Sequence, residues 1–320
     1  MTAGLRVVAT GGGGFIGHHL VRHLLERPET GRITVVDDYS TGTPDNLAVL
    51  GGDVDVNEGS ILNTSLMNRV VAGADVVVHL AAVPSVPRSL ADPARSHAVN
   101  ATGTLNVLEA ARRAGGPLVI AASSSSVYGR HPQLPQREDA LPAPASPYAV
   151  TKLAGEGYLA AYARCFSLPV LPLRFFNVYG PGQLPGHAYA AVIPAMIDAA
   201  LNGREFTWHG DGTQTRDFTY VATVCDVLAD AAVRRVAHDG PVNMAFGTRT
   251  SLTDLNNLLG DITGIPVPVR SGTPRPGDVA DSQADPALLR SLFPQVEPLG
   301  LREGLEAAVA WHRTRPRPAL

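Results

Sequence analysis

The run Thr10-Gly11-Gly12-Gly13-Gly14-Phe15-Ile16-Gly17 constrains this chain more than any other stretch, because of what stands on either side of it. Leu5-Arg6-Val7-Val8-Ala9 before it reads as a buried parallel strand, and Phe15 to Arg27 reads as an amphipathic helix. Gly11, Gly14 and Gly17 follow G-x-x-G-x-x-G. Glycines at this spacing allow a tight turn, backbone approach to a pyrophosphate, and close packing of helix on strand. The helix N-terminus then offers free N–H groups and a positive dipole end to the phosphates. A Gly-rich turn alone is equally an ordinary flexible loop. Here a second apolar strand, Ile33 to Val36, ends at Asp37, where an acid holds an adenosine ribose. Strand, glycines, helix and acid together predict a bound dinucleotide.

At 320 residues the chain has room for about two domains and a full α/β core. An apolar content of 45% with 17% charged residues suits a soluble globular enzyme. The net charge of −3 gives no basic field, which argues against a nucleic-acid partner. Cys165 and Cys225 are the only cysteines. Both fall in stretches that read as helix, so buried free thiols are expected rather than a disulfide or a metal pair. The first strand starts almost at Met1, with no signal peptide before it, and no apolar run approaches membrane-spanning length. A cytoplasmic protein without membrane contact is the expectation.

Strands and helices alternate through the first half, predicting a doubly wound parallel sheet. Strands are expected near Val54–Val56, at Val76–Leu80, Leu118–Ala122 and Val170–Phe175. Helices are expected over Pro93–Arg113 and Tyr148–Phe166, with Pro147 in the latter's first turn. His131 to Pro147 is proline-rich loop. Beyond Asn177 the pattern becomes irregular, with a helix Ala190–Leu201, a short strand at Phe206–Trp208, and Val221–Arg235 and Val242–Met244 as a return to the main sheet. The expected fold class is α/β, a Rossmann sheet with a smaller discontinuous lobe over the strand C-termini. The dinucleotide domain is assigned residues 1–174 plus 216–245, and the substrate domain 175–215 plus 246–320.

Tyr148-Ala149-Val150-Thr151-Lys152 places a phenol and an ammonium on one helix face. Surface helices contain such pairs often. Weight comes from Ser123-Ser124-Ser125-Ser126-Val127-Tyr128-Gly129, whose hydroxyls follow a strand at the sheet edge where ligands of such folds bind.

With these motifs in view the chain resembles the extended short-chain dehydrogenase/reductase family, in its nucleotide-sugar epimerase and dehydratase branch. The resemblance extends to His79-Leu80-Ala81-Ala82, Asn100 to Asn106, Arg174 to Pro181, Gly210 to Asp217 and Arg275-Pro276-Gly277-Asp278, and so to essentially the whole chain. It implies that Tyr148 is the general base, Lys152 its cationic neighbour and a ligand of the nicotinamide ribose, and Ser124 the hydroxyl sharing a hydrogen bond with the reacting sugar oxygen. A cation about 4 Å from a phenol stabilises the phenolate by on the order of 4 kcal/mol, roughly 3 pKa units. Lys152 and an oxidised nicotinamide together would therefore bring Tyr148 near neutrality.

The resemblance also places Phe15, Ile16, Ser60, Ile61, Leu80, Ala81, Ala82 and Asn100 with the cofactor, beside Gly11, Gly14, Gly17 and Asp37. Asp37 and Asp38 together oppose a 2′-phosphate, so NAD is expected over NADP. A cap role for Asn100 is a fair rival. For a UDP-sugar it implies Ser85, Ser124, Ser125, Ser126, Asn177, Val192, Thr207, His209, Arg216, Arg275 and Asp278, the two arginines as forks on the diphosphate. His19 and His23 imitate a metal pair but lack a third ligand, so no metal is expected, and His79 reads as a packing residue.

Dehydratases of the family carry Asp-Glu after the hydroxyl residue and the decarboxylases keep the Glu; here Ser125 and Ser126 stand there. That favours 4-epimerisation through a transient 4-keto sugar. UDP-glucuronate to UDP-galacturonate is the leading reaction, since the serine run resembles that of UDP-glucuronate 4-epimerases. Against it, Gly182 and Leu184 stand where some relatives carry arginines. A neutral UDP-sugar such as UDP-glucose or UDP-N-acetylglucosamine is the alternative, and a silent NAD sensor, which should have lost Tyr148 or Lys152, a remote one. A homodimer is expected through the helices starting at Pro93 and Pro147, as in relatives.

Overall fold

The computed structural model describes residues 4–51, 54–131, 133–185, 191–273 and 279–315. Six strands, β1 (Leu5–Thr10), β2 (Thr30–Asp37), β3 (Val54–Glu58), β4 (Val76–His79), β5 (Leu118–Ser124) and β6 (Val170–Phe175), are joined by the strand Val242–Met244 in one seven-stranded sheet. Its order is Val242–Met244, β6, β5, β4, β1, β2, β3, and every pairing is parallel. β4 and β6 are buried along their whole length, as strands covered on both faces must be. Alternate residues divide between two cores. Val7, Ala9, Ile33 and Val35 pack against α1 (Phe15–Leu25) and the helix Val221–Arg234. Val8, Val36, Val77 and Val119 pack on the opposite face against Met67, Leu108 and Leu159. The chain runs outward from β1 to β3 and then returns to the other side of β1 as β4, so the switch point of the sheet lies at the C-terminal ends of β1 and β4.

A third core, built from Ile193, Met196, Ile197, Trp208, Leu255, Leu259 and Leu305, supports the smaller lobe. Short strands tie it together across long sequence gaps: Phe206–His209 pairs with Val269–Gly272, and Thr215–Arg216 with Thr250–Ser251.

Some elements differ from the sequence expectation. β5 continues through Ser123 and Ser124 instead of stopping at Ala122, because those two residues pair with Arg174 and Phe175. The helix expected over Pro93–Arg113 is interrupted by a π-helical segment, Ala98–Thr102. The return to the main sheet is made by Val221–Arg234 as a helix on its face and by Val242–Met244 as its edge strand. Cys225 is buried, but Cys165 is exposed, one residue from the end of its helix.

Candidate active site

A cleft of about 570 Å³ opens over the switch point, and its wall runs from Asp37 and Ser60 at one end to Ser124, Tyr148 and Lys152 at the other. Two glycines are required by what surrounds them. Gly11 sits at φ +74°, and a Cβ there would stand 2.7 Å from the Ala81 nitrogen; at Gly17 it would run into the Gly11 carbonyl. Asp37, at the end of β2, accepts the Gly13 N–H at 2.8 Å and the Tyr39 N–H at 2.8 Å. Burial raises its carboxyl above the ordinary carboxylate range, against the pull of those two amides. The Asn46 amide donates to the Gly13 carbonyl at 2.8 Å and holds the glycine loop from outside, a contact no local motif announces. Gly11, Gly14, Phe15, Ile16 and Gly17 share this wall with Asp38, Ile61 and Leu80–Ala82. A helix N-terminus behind glycines, with a carboxylate at the next strand end, fits a dinucleotide diphosphate and ribose.

A buried relay stiffens the cofactor side, and its donors can be assigned in turn. Thr104 Oγ donates to the Asn100 carbonyl at 2.6 Å, so it accepts from His79 Nε2 at 2.9 Å. His79 Nδ1 is then left to accept the Thr10 hydroxyl at 2.8 Å, and Thr10 Oγ accepts the Ala81 N–H at 3.3 Å. Burial, aided by the Lys152 charge, pushes His79 down to about 3, which keeps it the neutral link this relay needs. Asn100 does not line the cleft, contrary to expectation, nor does it cap a helix. Its side chain accepts the Val83 N–H at 2.8 Å and donates to the Val83 carbonyl and Thr151 Oγ at 3.1 Å each, clasping the loop after β4 to the helix Pro147–Phe166. The π-helical turn around it aims this side chain sideways.

That helix starts where Ser146 caps the Ala149 N–H at 3.2 Å, with Pro147 next. Burial holds the Tyr148 phenol above its ordinary value, and the neighbouring Ser124 hydroxyl opposes that rise. Lys152 Nζ is 6.0 Å from the Tyr148 ring centroid and donates to the Ala122 carbonyl at 2.7 Å. Burial brings its ammonium down to about 8, with Glu156 opposing. Ser125 and Ser126 open a 3₁₀ turn and do not form part of the cleft wall; the Ser126 N–H donates to Ser124 Oγ at 3.2 Å. Of the three serines, Ser124 alone is on that wall.

Two neighbours escaped the sequence reading. Ser89 Oγ accepts the Tyr148 N–H at 3.0 Å while donating to the Val86 carbonyl at 2.7 Å, which docks the Ser85 loop on the start of the catalytic helix. Arg88 is on the cleft wall, and no carboxylate among the described residues lies within ion-pair distance of it. The signal for both is Ser85-Val86-Pro87-Arg88-Ser89, a capped turn with Pro in its first positions. Ser85, itself on the wall, accepts the Arg88 N–H at 3.4 Å from a strained φ of +85°.

The remaining expected substrate residues do not form part of this wall, although Asn177 stands between its members Phe176 and Val178, and Val192 next to Ala191. Asn177 opens the short strand Asn177–Tyr179 and donates to the Asp217 carbonyl at 3.2 Å. Val192 begins the helix Val192–Leu201, Thr207 and His209 lie on one short strand, and Arg216 donates to the Thr215 and Ala280 carbonyls. Arg275 and Asp278 lie outside the described residues. His19 and His23 serve structure: His19 donates from Nε2 to the Pro181 carbonyl at 2.8 Å and accepts from Arg22, and His23 stands 3.7 Å from Asp226. Among the described residues no group of three or more His, Cys, Asp or Glu is arranged to hold a metal, and no helix is long and apolar enough to cross a membrane.

Comparison with known proteins agrees with this geometry. The profile of the NAD dependent epimerase/dehydratase family matches residues 7–245. A UDP-glucose 4-epimerase of Mycolicibacterium smegmatis is 35% identical over 318 residues, 97% of this chain and 99% of its own. Among solved structures, MoeE5 in complex with UDP-glucuronic acid and NAD is 36% identical with a TM-score of 0.85, covering 96% of this chain and 99% of its own. The UDP-N-acetylglucosamine 4-epimerase of Methanobrevibacter ruminantium, in complex with UDP-N-acetylmuramic acid, is 32% identical with a TM-score of 0.91, covering 98% and 99%. The cofactor is NAD, and this chain belongs to the NAD-dependent epimerase/dehydratase family of nucleotide-sugar enzymes.

Proposed function

We propose that the chain is a UDP-sugar 4-epimerase that prefers UDP-glucuronate and returns UDP-galacturonate with its carboxylate intact. The observation that carries the epimerase reading is the distribution of charge in the cleft. Among the described residues its only acids, Asp37 and Asp38, lie at the ribose end, and none stands beside Ser124 and Tyr148. Eliminating water across C5 and C6 needs an acid and a base of suitable pKa, and serines supply neither. Tyr148, steadied by Ser124, takes the proton of the sugar O4. Bound NAD supplies hydride acceptance at C4 and, when oxidised, a positive charge beside the phenol. The keto sugar then turns and is reduced on its other face, Tyr148 returning the proton.

Arg88 supports the uronate preference, because a guanidinium on the wall matches a carboxylate and lacks one of its own. It takes the part that the Ser124-Ser125-Ser126 cluster cannot fill. A 4-keto uronate loses CO2 easily, the ketone lying β to the acid, so the carboxylate has to be held near the ring plane. We also propose a homodimer through the exposed Leu90, Val150, Tyr158 and Phe166, and a division into lobes at 1–174 plus 216–245 and 175–215 plus 246–320. NMR of the products from UDP-glucuronate and UDP-glucose is the test. Arg88→Gln is expected to slow UDP-glucuronate about tenfold or more and UDP-glucose little, as for loss of one hydrogen bond to a charged group. Equal or faster turnover of UDP-glucose by the parent moves the reading to a neutral sugar, the substrate class of the epimerase relatives, and UDP-xylose as main product overturns epimerisation.

A further inference from the structure

Three consecutive residues end β5, and three side chains at one-turn intervals on the helix Pro147–Phe166 meet them. Lys152 donates to the Ala122 carbonyl at 2.7 Å, Tyr148 shares the cleft wall with Ser124, and Glu156 accepts the Ser123 hydroxyl at 2.5 Å. Two of these rungs belong to the reaction proposed above. The third has no part in it. Glu156 is also clamped by Arg174 of β6, whose Nε and Nη2 reach its two oxygens at 2.9 and 2.8 Å. The side chains are 7% and 2% exposed. The guanidinium carbon lies 4.6 Å from the centroid of the Tyr128 ring, which closes the 3₁₀ turn after Ser124.

Burying two ions is costly, and a well-packed apolar pair of the same volume usually stabilises a fold as well or better. Stability alone therefore accounts poorly for a pair at this place. We propose that Glu156 and Arg174 are positioning residues of the active site, which through the Ser123 hydroxyl and the Tyr128 ring fix the strand end bearing Ser124 against the helix face bearing Tyr148 and Lys152. The inference rests on the reading of Tyr148 and Lys152 as the reacting pair. Strand geometry makes Ser123 an effective handle: it and Ser124 point to opposite sides, so pinning one sets the register of the other. Charge agrees. The groups facing Lys152 are neutral His79 on β4, Tyr148 on its own helix, and Glu156, which opposes the loss of the lysine's proton while Arg174 balances the carboxylate.

Ser123→Ala in the full-length, NAD-loaded protein cuts this rung while sparing the ion pair, so folding is retained. The expected result is a kcat about tenfold lower with KM within about twofold, the size of one lost positioning hydrogen bond. The tyrosinate midpoint of Tyr148, read by ultraviolet absorbance against Tyr148→Phe, should rise by about half a pH unit as Ser124 and Lys152 loosen around it. Ser123→Thr, which keeps the hydroxyl, should restore both. Parental kcat with an unmoved midpoint in Ser123→Ala overturns the proposal, and so does a Ser123→Thr protein as impaired as Ser123→Ala. If the parent turns over no UDP-sugar, the proposed reaction falls, and the tyrosinate titration, which needs no sugar, still decides the positioning role.

Discussion

Glu156, on the catalytic helix, and Asp217, between the short strands Thr215–Arg216 and Phe218–Tyr220, are both carboxylates withdrawn from water, and the two sites hold them by different means. Glu156 is matched by a guanidinium fork and one hydroxyl. Asp217 receives neutral donors: the Gly247 N–H at 3.1 Å, the Ala284 N–H at 3.0 Å and the Thr248 hydroxyl at 2.7 Å. Without a cation, burial wins over these bonds and raises Asp217 to about 6. The catalytic lobe thus spends charge to fix the relative placement of strand and helix. At Asp217 one carboxylate instead ties together three chain segments, those of Asp217 itself, of Gly247 and Thr248, and of Ala284.

The sharpest way to break this contrast is Arg174→Met, which leaves Glu156 buried without its counter-charge. It should destabilise the protein by about 3–5 kcal/mol, read from denaturant midpoints. Next in size is Tyr148→Phe, expected to fold normally, keep its NAD, and lose at least about a hundredfold in rate, as for removal of a general base. Near-normal turnover would remove Tyr148 from that role. Asp37→Ala should weaken NAD about tenfold or more, and NADP less, because two charge-assisted bonds to the ribose are lost. Binding titrations with both nucleotides check the order.

The smallest effect is expected at Asp217. A carboxyl raised from 3.8 to about 6 binds its proton more tightly in the folded than in the unfolded chain. Its contribution to stability therefore falls as pH rises from about 4 to about 6, by about 3 kcal/mol, and stays at the lower level above that. Asp217→Asn should remove this pH dependence and cost no more than about 1–2 kcal/mol at pH 7, since an amide still accepts from the backbone. Melting curves at pH 4.5 and 7 separate the outcomes. A loss as large as that of Arg174→Met would end the contrast between the two carboxylates.

The sequence by itself determined the parallel sheet, the glycine turn and the acid at the end of β2, because each depends on residues close together in the chain. Apolar runs such as Val76–Val78 and Val170–Leu173 can hardly do anything but form strands covered on both faces. The spacing of Tyr148, Lys152 and Glu156 on one helix face is likewise local. Only the tertiary structure decided what those faces meet. Asn100 read as a cofactor residue because its motif lies near the cofactor loop, yet a π-helical turn aims it at Val83 and Thr151. Cys165 read as buried from its helix, but its side chain is exposed. Arg88 and Ser89 were invisible as site residues, since their partners are the cleft and the Tyr148 N–H, 59 residues away in the case of Ser89. The smaller lobe was the least legible part, being built of strands of two to four residues paired across as many as 63 positions, too short to show a period and too far apart to show a turn. Periodicity records which face of an element is buried; the partner on that face is fixed by packing free energy summed over the whole fold.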